Sequence, residues 1–176
     1  MQTDRRAYQK YELKNGISVF YLPMDIEIGQ AIINIPFGHQ NNIGEIPLGG
    51  FHFLEHCVLN RSQMFPEHDS FSEFIGKEGG YKNGTTGLSR TYFEVEVPSA
   101  IFKQAFSGLL SHIYNPIFRQ ADIDTEKGII INERTNDAPF FPGRTEAGQY
   151  VSIEVFYNMP LSLEKIFGDD ASLKKM

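Results

Sequence analysis

A chain of 176 residues with 41% hydrophobic content can bury one ordinary core, and residues 1–176 are expected to form a single domain. Its formal charge of −6, with Lys and Arg scattered apart from Arg5-Arg6 and Lys174-Lys175, argues against a surface for nucleic acid or an anionic membrane. No stretch approaches the ~20 consecutive apolar residues of a membrane-spanning helix, Met1 to Arg6 leads into polar sequence without a signal-peptide core, and the lone Cys57 makes no internal disulfide, so a reducing, cytoplasmic setting is expected.

Tyr11 to Leu22 reads as a hairpin, two β-prone runs flanking Asn15-Gly16. A strand follows at Ala31 to Ile35, then a loop rich in Gly, Asn and Pro from Pro36 to Gly50. His52-Phe53-Leu54-Glu55-His56 opens the first helix. A second short helix fits Asp69 to Ile75, with Gly79-Gly80 as its stop. Thr91 to Val97 alternates with period two, the pattern of a strand with one wet face. Ser99 to Tyr114 then carries Ile101, Phe102, Ala105, Phe106, Leu109, Leu110 and Ile113 at helical spacing, ending before Pro116. A further helix is predicted from Asp122 to Asn136, with Pro139 beyond its end, and another from Glu146 to Phe156. Strands first and helices later predict an α+β domain, mostly antiparallel sheet with helices packed on one face.

The H-x-x-E-H spacing sets two imidazoles four residues apart on one helix face, with Glu55 beside them. A catalytic zinc takes three protein ligands and a water, so His52 and His56 require a third ligand elsewhere, while Glu55 is placed to take a proton from the water. Glu126 and Glu133 lie on the late helix, seven residues and ~10 Å of helix axis apart, and one zinc does not take both. Either qualifies as the ligand, leaving the other to orient a histidine from further out. Gly128-Ile129-Ile130-Ile131 between them predicts a largely buried helix, where a carboxylate needs a partner, a proton or a cation. His39 and His68 fall in loops and are expected to be solvated, His112 to serve packing or surface, and Cys57 to be a small buried hydrophobe.

Gly50-Phe51-His52-Phe53-Leu54-Glu55-His56, with 76 residues before the Glu133 of Ile130-Ile131-Asn132-Glu133-Arg134, resembles the inverted-motif zinc peptidases, among them pitrilysin, insulin-degrading enzyme and mitochondrial processing peptidase. Leu13-Lys14-Asn15-Gly16, Gly79-Gly80-Tyr81-Lys82-Asn83, Asn115-Pro116-Ile117-Phe118 and Ile166-Phe167-Gly168 leading into Ser172-Leu173 also look like family features. The resemblance implies a domain of the pitrilysin type, one zinc ion held by His52, His56 and Glu133, Glu55 as general base, Glu126 as a supporting carboxylate, and Asn83 as a holder of substrate backbone on an exposed strand edge. Three departures stand out. Arg61-Ser62 replaces a common Gly-Thr, so the exit from the metal helix is expected to differ; Asn83-Gly84 replaces Asn-Ala, and glycine weakens a strand. The family domain also continues into another helix and strand and gains a second, similar domain, so this chain reads as the N-terminal part of a longer enzyme or as a protein completed by a partner subunit.

The function implied is a zinc metalloendopeptidase domain acting on extended peptides or small unfolded proteins. The alternatives are a non-catalytic zinc-binding or assembly subunit that needs a partner chain, and a zinc-stabilised structural domain with four protein ligands.

Overall fold

The computed structural model describes residues 8–41, 45–140, 171 and 174–175. The helix expected at 146–156 and the 166–168 segment lie outside those residues. The first elements are β1 (Gln9–Glu12) and β2 (Ser18–Tyr21), an antiparallel pair in which Gln9 faces Tyr21 and Glu12 faces Ser18. Gly16 alone takes the positive φ, +86°, that the turn needs, while Asn15 Oδ1 accepts the Ile17 N–H at 3.3 Å.

β3 (Ile28–Ile35), β4 (Tyr81–Thr86) and β5 (Thr91–Pro98) form an antiparallel sheet in the order β3-β5-β4. β3 begins three residues earlier than its apolar run, because Ile28, Gly29 and Gln30 find partners at Pro98, Val97 and Glu96. Alternation along β5 buries Thr91, Phe93, Val95 and Val97 on one face. Among the described residues, four α-helices of at least eight residues accompany the sheet: α1 (Gly50–Val58), α2 (Ser70–Lys77), α3 (Phe102–Tyr114) and α4 (Gln120–Phe140).

The core lies between the inner face of β5 and the helices, where Phe71, Ile75, Val95 and Val97 meet Ala105 and Leu109 of α3. Each large side chain sealed there contributes about 1.5–3 kcal/mol of hydrophobic stabilisation. Gly79, at φ +72°, stops α2: its N–H bonds Gly76 O and the Gly80 N–H bonds Ile75 O. α3 leaves helical geometry at Asn115, the residue that the Pro116 ring crowds.

Two expectations need correction. α4 spans Gln120–Phe140 and so runs through Pro139, past the end expected at Asn136 and stopping one residue after the proline. Nor is α4 largely buried: Asp122, Glu126 and Ile130, at i, i+4 and i+8, form its covered stripe, while Ile129 and Ile131 are exposed. Among the described residues, no helix is long and apolar enough to cross a membrane.

Candidate active site

α1 begins where Gly49, at φ +76°, turns the chain out of the preceding loop and the Phe53 N–H bonds the Gly49 carbonyl. One helical turn then sets the His56 ring nearly perpendicular to that of His52, with ring centroids 4.8 Å apart and Nε2 facing Nε2 at 3.2 Å. α4 crosses this face and brings Glu133 Oε2 to 3.8 Å from both Nε2 atoms. Ligand atoms in a tetrahedral zinc shell stand ~3.3 Å apart, given zinc–nitrogen and zinc–oxygen bonds of ~2.0 Å. The triangle formed by the two imidazoles and the Glu133 oxygen therefore fits one such ion after a small inward movement of the carboxylate.

Glu126 meets the opposite edge of His56. Its Oε2 lies 3.1 Å from His56 Nδ1, and its Oε1 accepts a hydrogen bond from Asn60 Nδ2 at 3.0 Å. A carboxylate only accepts, so Nδ1 carries the hydrogen and the Nε2 lone pair of the neutral ring is left facing His52 and Glu133. Burial works against charge on His56, yet the Glu126 hydrogen bond and the Glu133 and Glu55 charges outweigh it, and its pKa rises. Burial likewise opposes ionisation of Glu126, but hydrogen bonds from His56 and Asn60 prevail and hold its pKa down. The two carboxylates left open by spacing are thus separated in space, Glu126 at the Nδ1 side of His56 and Glu133 at the Nε2 side of both histidines.

Glu55 is buried, at 8% exposure, between α1 and β4. The Thr86 hydroxyl donates to its Oε2 at 3.2 Å. Burial is the main influence on Glu55 and raises its pKa against the opposing effects of His56 and Thr86. Gly84 makes this packing possible: a Cβ there would stand 2.5 Å from Glu55 Oε1. At Gly84 the strand therefore runs close against the Glu55 carboxylate.

A cavity of about 590 Å³ opens over these groups, with His52, Glu55, His56, Glu126 and Glu133 on one side and Lys82, Asn83 and Gly84 of β4 on the other. Asn83 belongs to the strand and donates to Thr85 Oγ1 at 3.3 Å. β4 is an edge strand among the described residues, its far side pairing with no other.

Several residues at the site carried no sequence signal. His39 is buried at 6% exposure, contrary to a solvated loop position: its backbone N–H bonds Gly87 O at 3.0 Å, and its ring stands nearly perpendicular to His52 with centroids 6.1 Å apart. Burial lowers its pKa. Lys82 lines the cavity and is held below the usual lysine range by burial, in spite of Asp69, Glu55 and Glu126 nearby. Thr86, Gly84 and Lys82 share one face through the two-residue strand period, a signal available only once β4 is recognised as a strand. His112 is fully buried and stacks on Phe71, and Cys57 is buried as expected.

The model of the insulinase family, peptidase family M16, matches residues 31–138. The insulin-degrading enzyme homolog of Dictyostelium discoideum is 28% identical over 135 residues, 76% of this chain. Protease 3 of Escherichia coli K12 is 30% identical over 134 residues, 75% of this chain. The chain spans 14% of the length of each of these two relatives. Among solved structures, pitrilysin superposes with a TM-score of 0.75 at 25% identity over 98% of this chain and 19% of its own. A protease from Helicobacter pylori shares the fold, with a TM-score of 0.67 at 18% identity, covering 73% of this chain and 31% of its own. With its H-x-x-E-H helix inside the matched region, the chain belongs to the insulinase family of peptidases, family M16.

Proposed function

We propose that this chain is the metal-binding domain of a zinc-dependent endopeptidase that cleaves extended peptides or small unfolded proteins. The observation that carries the proposal is the triangle of His52 Nε2, His56 Nε2 and Glu133 Oε2, with edges of 3.2, 3.8 and 3.8 Å, beside the buried Glu55. His52, His56 and Glu133 would hold one zinc ion. When bound, zinc polarises a peptide carbonyl and makes water acidic enough to ionise near neutral pH.

Glu55 takes the proton of the attacking water and passes it to the leaving amine. Burial raises its pKa above the ordinary glutamate value, the direction that helps a carboxylate both to accept a proton and to return it. Thr86 fixes one carboxylate oxygen, and the wall of Gly84 leaves the group room beside the strand. Glu126 holds the His56 ring in a single tautomer. An extended peptide laid along the open edge of β4 would pair with backbone groups, with Asn83 beside it. A second homologous domain or a partner subunit would complete the substrate cleft, and the lone Cys57 is compatible with a reducing, cytoplasmic setting.

A second reading is a non-catalytic zinc-binding or assembly subunit that needs a partner chain for activity. Peptide hydrolysis and zinc content measured together separate the two. In the peptidase reading, Glu55→Gln retains zinc and loses about 100- to 10,000-fold in kcat; undiminished turnover by that variant would contradict it. A chain that binds zinc but whose complex with a partner domain cleaves peptides equally well with Glu55 or Glu55→Gln supports the second.

A further inference from the structure

Four buried polar residues connect the exit of α1 to the first turns of α4: Asn60, Arg61, Asp122 and Glu126. Arg61 grips Asp122 with two parallel hydrogen bonds, Nε to Oδ2 at 2.6 Å and Nη2 to Oδ1 at 3.2 Å. Its remaining arm, Nη1, donates to the Pro66 carbonyl at 2.9 Å and reaches Glu67 Oε2 at 3.5 Å. The backbone follows the side chain: Arg61 O accepts the Ile117 N–H at 3.1 Å, and Ser62 bridges to Pro116, so the segment leading into α4 is fastened to the segment leaving α1. One helical turn after Asp122, Glu126 is bonded by Asn60 and His56.

A helix gripped at two points one turn apart on a single face is fixed both in rotation about its axis and in height along it. Glu133 lies two turns beyond Glu126 on that helix, where its oxygen must meet two imidazoles at once. We propose that the Arg61–Asp122 pair is a positioning lock for the zinc site, setting α4 against α1 so that Glu133 reaches His52 and His56. The inference rests on the zinc reading above. Arginine is needed because its planar fork makes both bonds to one carboxylate while a third arm holds Pro66; lysine offers a single point charge. Arg61 and Asp122 touch neither metal position nor cavity wall, and they act through Glu133.

The test is zinc affinity, measured by competition with a chelator on the full chain and on Arg61→Lys and Asp122→Asn, with folding followed by circular dichroism. Each variant should weaken zinc binding about 10-fold, the lower end of what outer residues at metal sites cost. The visible spectrum of the cobalt(II)-loaded variants should also shift, because an oxygen ligand is displaced. In a Glu133→Gln background the same substitutions should change affinity less than 2-fold, since no carboxylate remains to be placed. Affinity unchanged in both folded variants, or an equal 10-fold loss in the Glu133→Gln background, would overturn the lock. Loss of folding in both variants would overturn it too, because the pair would then hold the domain as a whole. A wild-type chain that takes up no zinc would instead sink the zinc reading, and this inference with it.

Discussion

Asp122 and Arg61 stand 61 residues apart in sequence, and their pairing gives the acid side of the stability curve an identifiable contributor. The hydrogen bond from Arg61 is the main reason that the Asp122 pKa lies below its ordinary value of 3.8. A carboxylate whose folded pKa is depressed binds fewer protons in the native state, so its stabilising effect is complete above the unfolded value and disappears as pH falls through the folded one. Wild type should therefore melt above Asp122→Asn at pH 7, with the gap closing below about pH 4, near the unfolded aspartate value. A gap independent of pH in thermal scans between pH 2 and 7 would contradict this. Residues of this kind show how far sequence reaches. His52, Glu55 and His56 were legible because their relation lies within one helical turn. Spacing left Glu126 and Glu133 as alternatives, and only packing of α4 on α1 places them on different sides of the histidines. His39 looked like a loop residue because the turn that covers it, around Gly87 and Leu88, lies more than forty positions away.

At the scale of elements, β5 could be read directly because its two-residue period coincides with one buried face. β4 could not be read from propensity: Lys82, Asn83 and Gly84 are poor strand formers, and the strand exists because β5 offers a partner for every residue from Tyr81 to Thr86. The late helix misled for the opposite reason, as three consecutive isoleucines suggest burial while of the three only Ile130 is buried. α3 offers a quantitative test. Gly108 is buried, and a Cβ there would lie 2.6 Å from Phe71 Cε2 and 2.8 Å from Phe65 Cε2. Gly108→Ala would gain about 1 kcal/mol of helix propensity. Pushing two packed rings aside costs about 1–3 kcal/mol. The strain should win, lowering the midpoint of urea denaturation; a variant more stable than wild type would show that the rings move freely.

For the whole molecule, the metal reading links function to stability. If the site between α1 and α4 holds zinc only in the folded state, saturation at ~1,000 times the dissociation constant adds about 4 kcal/mol. A domain of this size shifts its melting temperature by roughly 2–4 °C per kcal/mol, so removing zinc with a chelator should lower Tm by about 8–16 °C. The same chelation should leave the melting temperature of a His52→Ala/His56→Ala variant unmoved, as calorimetry can check. Family membership and fold were within reach of sequence because the H-x-x-E-H helix and its distant glutamate are specific; the lock between Arg61 and Asp122 was not, because nothing in a linear pattern pairs them. The central claim is that two histidines and Glu133 hold one zinc with a position left open. Zinc-edge X-ray absorption on the full chain tests it most directly: the account predicts only nitrogen and oxygen neighbours at ~2.0–2.2 Å, with the outer-shell signature of two imidazoles. A sulfur neighbour at ~2.3 Å, a single imidazole, or an undiminished signal when Glu133→Gln and both histidine substitutions are combined would contradict it.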